Sequence, residues 1–295
     1  VSGTVHVAGI IPLANLETDY DGEVPVCMLP LNAGFTAIQK SVFECAMAGC
    51  DTIWIVANAD LAPIVRKTVG EWVYDPVYYN RTMTRFYKEV RKEIPIYYVP
   101  IDVRDRSRRD SYGWSVLHGV NSAWWVGNRI SKWLVPEKYF ISFPLAAYDV
   151  YSLRDHRKKI ANKNSNFFTT YYNKTVKDNL PLSFTMRGKD FIQCRRNVNK
   201  LTSREYLPPL EGEKFPSQKL PLEQRWSARS FDFATVFDKV DVTDCEHLEL
   251  EWFHDLSEWK NYKAFLGSDN IITKPYKDLT GPHRHAKICL IKDEE

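Results

Sequence analysis

The chain has 295 residues, enough for one large α/β domain or one domain plus a small appendage. Its formal charge of +3 is too small to argue for nucleic acid or a membrane surface, and no apolar run reaches the roughly 20 residues that a membrane span needs. A hydrophobic fraction of 44%, with 9 Trp, 16 Tyr and 15 Phe, can fill a sizeable core. The first residues carry no basic segment leading into an apolar stretch and a small-residue cleavage site, so a cytoplasmic chain is expected.

Val5 to Ala14 is apolar nearly throughout, as a buried parallel strand should be, and a polar loop follows from Asn15 to Glu23. Thr36 to Gly49 has the periodicity of a helix, with Ala37, Ile38, Val42, Phe43, Cys45 and Ala46 on one face and Gly49 placed to end it. Thr52 to Ala57 is a second strand. Asn58 to Asp60 offers a cap for a helix over Leu61 to Val73, with Pro63 tolerated in its first turn, and Val77 to Glu93 is also expected to be helical. Ile94 to Ile101 is a third strand, Asp102 to Gly113 a charge-dense loop, Trp114 to Trp133 a long helix, and Tyr139 to Phe143 a fourth strand. This alternation favours a parallel sheet with right-handed crossovers.

Beyond Tyr148 the pattern weakens. Leu180 to Cys194 reads as a two-stranded ribbon turning at Arg187 and Gly188, and Asn197 to Arg225, rich in Pro, Lys and Glu, as an insertion. Phe231 to Val240 and His247 to Phe253 return to apolar periodicity, Leu256 to Leu266 is a helix, and a polar tail follows. The expected fold class is α/β: a mixed, mostly parallel open sheet with helices on both faces and a small β-ribbon insertion. One domain over 1–295 would comprise a nucleotide-binding half (1–150), an acceptor or sugar half (151–270) and the tail (271–295).

None of the six cysteines (Cys27, Cys45, Cys50, Cys194, Cys245, Cys289) forms a Cys-x-x-Cys pair, so small buried core residues are expected rather than zinc ligands or a disulfide framework. Arg104, Arg106, Arg108 and Arg109 follow a strand and precede a helix, at the edge where open α/β sheets bind ligands, and guanidinium forks match phosphate oxygens. The alternative is a solvated loop in which Asp102, Asp105 and Asp110 balance them. Trp124, Trp125 and Trp133 lie at helical spacing, as core or as a contact surface, and His283 with His285 is a weak metal-ligand pair in the tail. There is no Gly-x-Ser-x-Gly, no Walker loop and no Rossmann Gly-x-Gly-x-x-Gly.

From Val24 to Val56 the chain resembles the start of the sugar-1-phosphate nucleotidylyltransferases. The family's Leu-Pro motif appears as Met28-Leu29-Pro30-Leu31, its following helix runs to Ala48 and Gly49, and its next strand is Thr52 to Val56. Gly113 to Val120 falls where the family has a base-contacting Gly before a helix. Phe140 to Asp149 falls where a strand leads to a metal-binding Asp, and Glu251 to Tyr262 resembles the ending that supplies a second one. The resemblance covers about two thirds of the chain, in the right order.

The departures are specific. The family's Gly-rich, Arg-bearing triphosphate loop is here Leu13 to Gly22, with three acids and no base. Its Lys before Leu-Pro is Val26 or Cys27, its Asp-Lys-Pro is Ala33-Gly34-Phe35, and Pro144 stands where the first metal Asp is expected. The aromatic-rich, degraded motifs point to a divergent member of viral or phage type.

The resemblance implies a nucleotide or nucleotide sugar bound by Leu13, Ala14, Asn15, Thr18, Gly113, Trp114, Ser115, Arg104 and Arg106. It implies Mg²⁺ on Asp149 and Asp255, and transfer of a nucleotidyl group to a phosphorylated acceptor with Arg108, Arg109 and Asp255 as catalytic groups. Each has a plainer reading: Asp255 as a cap of the helix near Leu256, Asp149 as a surface or cap residue, Gly113 as a turn. A second class of function is a binding or assembly protein that keeps the fold without the catalysis. The third is a glycosyltransferase, for which Asp241-Val-Thr-Asp244 is the nearest acidic pair, at the wrong spacing.

Overall fold

The computed structural model describes residues 5–14, 16, 18–20, 22, 24–79, 93–101, 111–130, 134–202, 206–221, 231–270 and 272. The apolar Val7–Pro12 becomes β1, buried along its whole length. Two short strands, β2 (Pro30–Asn32) and β3 (Phe35–Thr36), pair with each other and lead into α1 (Ala37–Ala48). At the start of α1 the Thr36 N–H donates to Gln39 Oε1 at 3.0 Å, and at its end Gly49 takes the left-handed conformation (φ 89°) open to glycine. The apolar run Thr52–Asn58 forms β4. α2 spans Ala62–Val69 and ends at Gly70, so the expected helix to Val73 gives way to β5 (Trp72–Tyr74), an antiparallel edge strand.

Of the helix expected over Val77–Glu93, residues 80–92 lie outside the described residues; α3 spans Pro76–Tyr79, and Glu93 instead opens β6 (Glu93–Ile101), which is followed by the 19-residue α4 (Tyr112–Ile130). β7 (Lys138–Ile141) and the two-residue β8 (Ala146–Ala147) come next, then α5 (Arg157–Ile160) and β9 (Phe167–Thr170). β10 is Phe184–Arg187 and α6 is Gly188–Leu201, which corrects the expected ribbon turning at Arg187 and Gly188. At Gly188 the apolar period changes from two to that of a helix, and Phe191, Cys194 and Val198 are the buried face. In the insertion, a single bridge joins Tyr206 to Lys219. The remaining elements are α7 (Phe233–Val236), β11 (Glu246–Glu249), β12 (His254–Asp255) and α8 (Trp259–Leu266).

The main sheet has eight strands in the order β11-β9-β10-β7-β1-β4-β6-β5. β1 lies at its centre, parallel to both neighbours, with Ile10 opposite Trp54 of β4 and Ile141 of β7. β10 runs antiparallel to β7 and β9, while β9 and β11 are parallel. The fold is therefore mixed α/β and mostly parallel through the centre. Cys27, Cys45, Cys50 and Cys194 are buried, as expected, Cys245 is half-buried, and all five are free thiols. Trp124 and Trp125 are exposed, which excludes the core reading for both.

α4 crosses β1 and β4 at Gly119. A Cβ there would lie 2.7 Å from Val56 Cγ2 and 2.8 Å from Ile10 Cγ2, both on buried β-branched side chains. A Gly→Ala change inside a helix ordinarily gains about 1 kcal/mol from propensity. Gly119→Ala is instead expected to lower stability by about 1–3 kcal/mol through overpacking, measured by urea unfolding. A gain would mean the helix–sheet contact is looser than described.

At the amino edge of the sheet, Lys138 is fully buried, and its ammonium donates to the carbonyls of Asn162 (2.8 Å) and Ser165 (2.7 Å). Burial, with the Arg187 charge nearby, brings its pKa from 10.5 down to about 7. Between about pH 7 and 9 the unfolded chain thus holds a proton that the folded one has lost, and stability rises with pH. Above pH 9 the order reverses, because burial pushes Cys27 and Cys194 from 9.0 up to about 12. A stability maximum near pH 9 is expected from chemical unfolding across pH, and Lys138→Met should flatten the rise below it.

Candidate functional site

Because β4 and β7 flank β1 and the chain moves outward from it in both directions, a crevice opens at the carboxyl ends of the central strands. A cavity of about 310 Å³ lies there. Its walls are the start of α4 (Ser111, Tyr112, Gly113), Leu145 beyond β7, Asn179 and Pro181 before β10, Phe231, Asp232 and Phe233 at the start of α7, and Asp255 with Ser257.

Each wall is held by local chemistry. Ser111 Oγ accepts the Trp114 N–H at 3.1 Å, an N-cap contact that satisfies one of the first N–H groups of α4. Asn179 stands in the left-handed conformation (φ 64°) that asparagine tolerates, Nδ2 donating to Asp232 Oδ2 (3.1 Å) and Oδ1 accepting the Ala234 N–H (2.9 Å). Hydrogen bonds from Thr235, and then from Asn179, hold the Asp232 carboxyl below the usual range, so it is charged. Asp255 Oδ1 accepts the Ser257 N–H at 3.0 Å, and the Leu256 N–H donates to Leu145 O at 2.7 Å, fixing β12 on the turn beyond β7.

Tyr112 packs its ring on Phe143 (5.2 Å) and Phe233 (5.4 Å). Its hydroxyl oxygen is buried without a hydrogen-bond partner among the described residues. Burial, reinforced by the negative Asp255 against a smaller opposing pull from the Leu145 backbone, raises the phenol well above its ordinary value. It stays protonated and able to donate.

The residues expected in the site separate into groups. Gly113 and Asp255 line the cavity together. The absent Cβ of Gly113 makes room for Val236, whose Cγ2 would lie 3.1 Å from it, so α7 occupies the close approach expected of a base. Ser115 is buried, its Oγ donating to Ser111 O, and Trp114 stacks on His118 beside a separate crevice between α4 and α6; neither lines this cavity. Leu13 and Ala14 are buried in the core, with the Leu13 N–H donating to Val56 O. Asp149 is exposed and caps the 3₁₀ turn after it, accepting the Tyr151 N–H at 3.0 Å, and does not join Asp255 at the cavity. Asn15, Arg104, Arg106, Arg108, Arg109, Trp133, His283 and His285 lie outside the described residues.

The first loop is closed against the end of the domain. Thr18 Oγ1 donates to Tyr20 O, the Asp19 N–H to Ser257 O, and Asp19 Oδ1 accepts the Trp259 N–H at 2.6 Å, capping α8 from outside it. Tyr20 stacks on Tyr262 and donates to Leu256 O. The loop acids that set this chain apart from the nucleotidylyltransferase pattern thus include a helix cap. Asp19→Ala should cost about 1 kcal/mol in thermal unfolding, the usual worth of a cap, and no loss would mean the contact is idle. The acidic pair Asp241 and Asp244 lies elsewhere: Arg187, at the amino edge of β7, grips Asp241 at 2.6 Å.

Asn179, Asp232 and Tyr112 were not singled out from the sequence. The one local signal was the capping box from Thr175 to Asp178, which marks the turn that carries Asn179.

No family model and no curated protein sequence matches the chain. Solved structures do. A Bacillus anthracis protein assigned as a glucose-1-phosphate thymidylyltransferase, solved with sucrose, superimposes with a TM-score of 0.55 at 10% identity, over 91% of this chain and 98% of its own. A UDP-glucose pyrophosphorylase in complex with UDP-glucose does so with a TM-score of 0.50 at 11% identity, over 88% and 97%. The structural neighbours are sugar-1-phosphate nucleotidyltransferases, and the chain has their mixed α/β fold.

Proposed function

We propose that the cavity at the carboxyl edge binds a nucleotide or nucleotide sugar, and that the chain transfers a nucleotidyl group to a phosphorylated, sugar-phosphate-like acceptor. The observation that carries this reading is the cavity itself. It lies at the switch point of the sheet and is lined by a helix start and by Asp255. The neighbours' chemistry supports the reaction class by analogy of fold.

In this reading Tyr112, Asn179 and Asp232 set the wall, and the Arg104–Arg109 cluster, which lies just before Ser111 in sequence, neutralises phosphate charge. Residues 1–150 supply the nucleotide half and 151–270 the acceptor half. Asp255 has one carboxylate oxygen free of the Ser257 contact, which fits Mg²⁺, a cation content with one or two carboxylates, waters and substrate phosphates. Asp149, spent on its own turn, does not fit. Bound there, Mg²⁺ would supply charge neutralisation on phosphate oxygens. The chain's own contribution is positioning and electrostatics, with no covalent nucleophile.

Arg108→Ala tests the phosphate assignment. It should weaken nucleoside triphosphate binding about tenfold, the scale of one charge-assisted contact, with unchanged unfolding. Equal binding would remove the cluster from the site. A second reading, a binding or assembly protein without catalysis, is favoured by one observation: no Lys or Arg stands among the described cavity-lining residues, while two carboxylates, Asp232 and Asp255, do. Absence of nucleotidyl transfer alongside retained binding would select it. A cytoplasmic location is part of the proposal, and no helix among the described residues is long and apolar enough to cross a membrane.

A further inference from the structure

Beneath the cavity, α1 carries a fully buried ion pair. Lys40 Nζ donates to Glu44 Oε2 at 2.8 Å, and both side chains have 0% exposure. Glu44 Oε2 also accepts from Ser142 Oγ (2.7 Å) and Oε1 from the Tyr148 hydroxyl (2.5 Å), while Lys40 donates to Phe143 O (3.0 Å). The Tyr148 hydroxyl is 2.8 Å from Ser183 Oγ on the approach to β10, and Thr169 of β9 donates to Ser183 O at 2.7 Å.

A buried ion pair is weak evidence of stabilisation, because desolvating two charges offsets most of their attraction. What this one does have is direction. Every partner beyond α1 that Lys40 and Glu44 engage lies on the stretch from Ser142 to Tyr148. That stretch contains Leu145 of the cavity wall and all of β8. β8 in turn pairs with β12, Ala146 opposite Asp255 and Ala147 opposite His254. Two strands of two residues each are not stable alone. Something must hold the β8 side in place, and the Lys40–Glu44–Tyr148 network is bonded to it at both ends.

We infer that Lys40, Glu44 and Tyr148 are positioning residues for Asp255, acting through β8 and β12. This rests on the reading that Asp255 belongs to a nucleotide site, and extends that site to a helix that contributes nothing to the cavity surface. None of the three touches the ligand.

The test uses Tyr148→Phe, which removes one hydroxyl and keeps the ring, and Lys40→Met with Glu44→Gln, which removes the charges together so that neither is stranded. Amide hydrogen exchange is the first readout. In both variants the Leu256 N–H should gain about tenfold in exchange over and above any change shared by the amides of β1 and β4, the worth of one buried hydrogen bond. The second readout is the Mg²⁺ concentration that half-saturates UTP binding, expected to rise about fivefold or more. A uniform rise in exchange, unchanged exchange at Leu256, or faster exchange without any change in the Mg²⁺ requirement would each overturn the inference. Asp255→Ala run alongside separates the two claims. If it binds Mg²⁺ and UTP as the unaltered chain does, the site reading fails, and the exchange data still decide whether the network holds the ribbon.

Discussion

Glu44→Leu, with Lys40 retained, is expected to lower the unfolding free energy by about 3–5 kcal/mol, the cost of stranding a buried charge whose partner is gone. Lys40 has no water to turn to: its side chain is fully covered, and its second partner, Phe143 O, is a single carbonyl. Ser142 and Tyr148 would also lose an acceptor. Replacing both charges, as Lys40→Met with Glu44→Gln, should recover at least half of the loss, since the new amide oxygen would still accept from Tyr148 without an unpaired cation beside it. Urea unfolding of the two variants measures the difference. Equal losses would mean that the hydrogen bonds, and not the charge, are what the core depends on.

Asp255→Ala should act on the ligand and spare the fold. Its carboxylate makes one short-range contact, to the Ser257 N–H, while the strand around it is held by backbone bonds to Leu145 and the Ala146–Ala147 pairing. Stability without ligand is therefore expected to fall by about 1 kcal/mol or less, the worth of one exchanged hydrogen bond. A ligand at 100 times its dissociation constant stabilises the native state by about 2.7 kcal/mol, and the variant should lose nearly all of that in the presence of Mg²⁺. Calorimetric titration and thermal unfolding, with and without metal, separate the two effects. Retained metal-dependent binding would move the site away from Asp255.

The parts of the fold that could be read from the sequence are those whose signals are local and agree with each other. The helix at 37–48 has an N-terminal Thr36 with Gln39, an apolar face and Gly49, and all of these describe the same element. β1, β4 and β7 read as strands because central parallel strands are buried on both faces and need no alternation. The misreadings have physical causes. Gly188 follows a strand and looks like a turn, yet it opens a helix whose buried residues recur at Phe191, Cys194 and Val198. Trp72–Tyr74 continues the apolar run of α2 across Gly70, and only the pairing with β6 makes it a strand.

The lining of the candidate cavity was legible only in part. Asp255 and Gly113 were read from the order of the elements they follow, and both line the cavity. Asp232 and Asn179 are joined only by folding, across 53 positions of sequence, and no local pattern records such a pair. Asp149 was drawn in by its place after a strand, but an Asp two residues before the first N–H of a helical turn is a capping residue first. Asp19 shows the same ambiguity from the other side: an acid in the phosphate-loop position turned out to cap a helix that starts 240 residues later.

The central claim is that this cavity takes a nucleotide with a metal. Thermal unfolding against a panel of nucleoside triphosphates and nucleotide sugars, each with and without Mg²⁺, tests it most directly. A midpoint raised by about 5 °C or more by one nucleotide, dependent on metal and lost in Asp255→Ala, is the result expected for ligand held only by the native state. No shift with any member of the panel at millimolar concentration would contradict the nucleotide site and leave the fold without the chemistry of its neighbours.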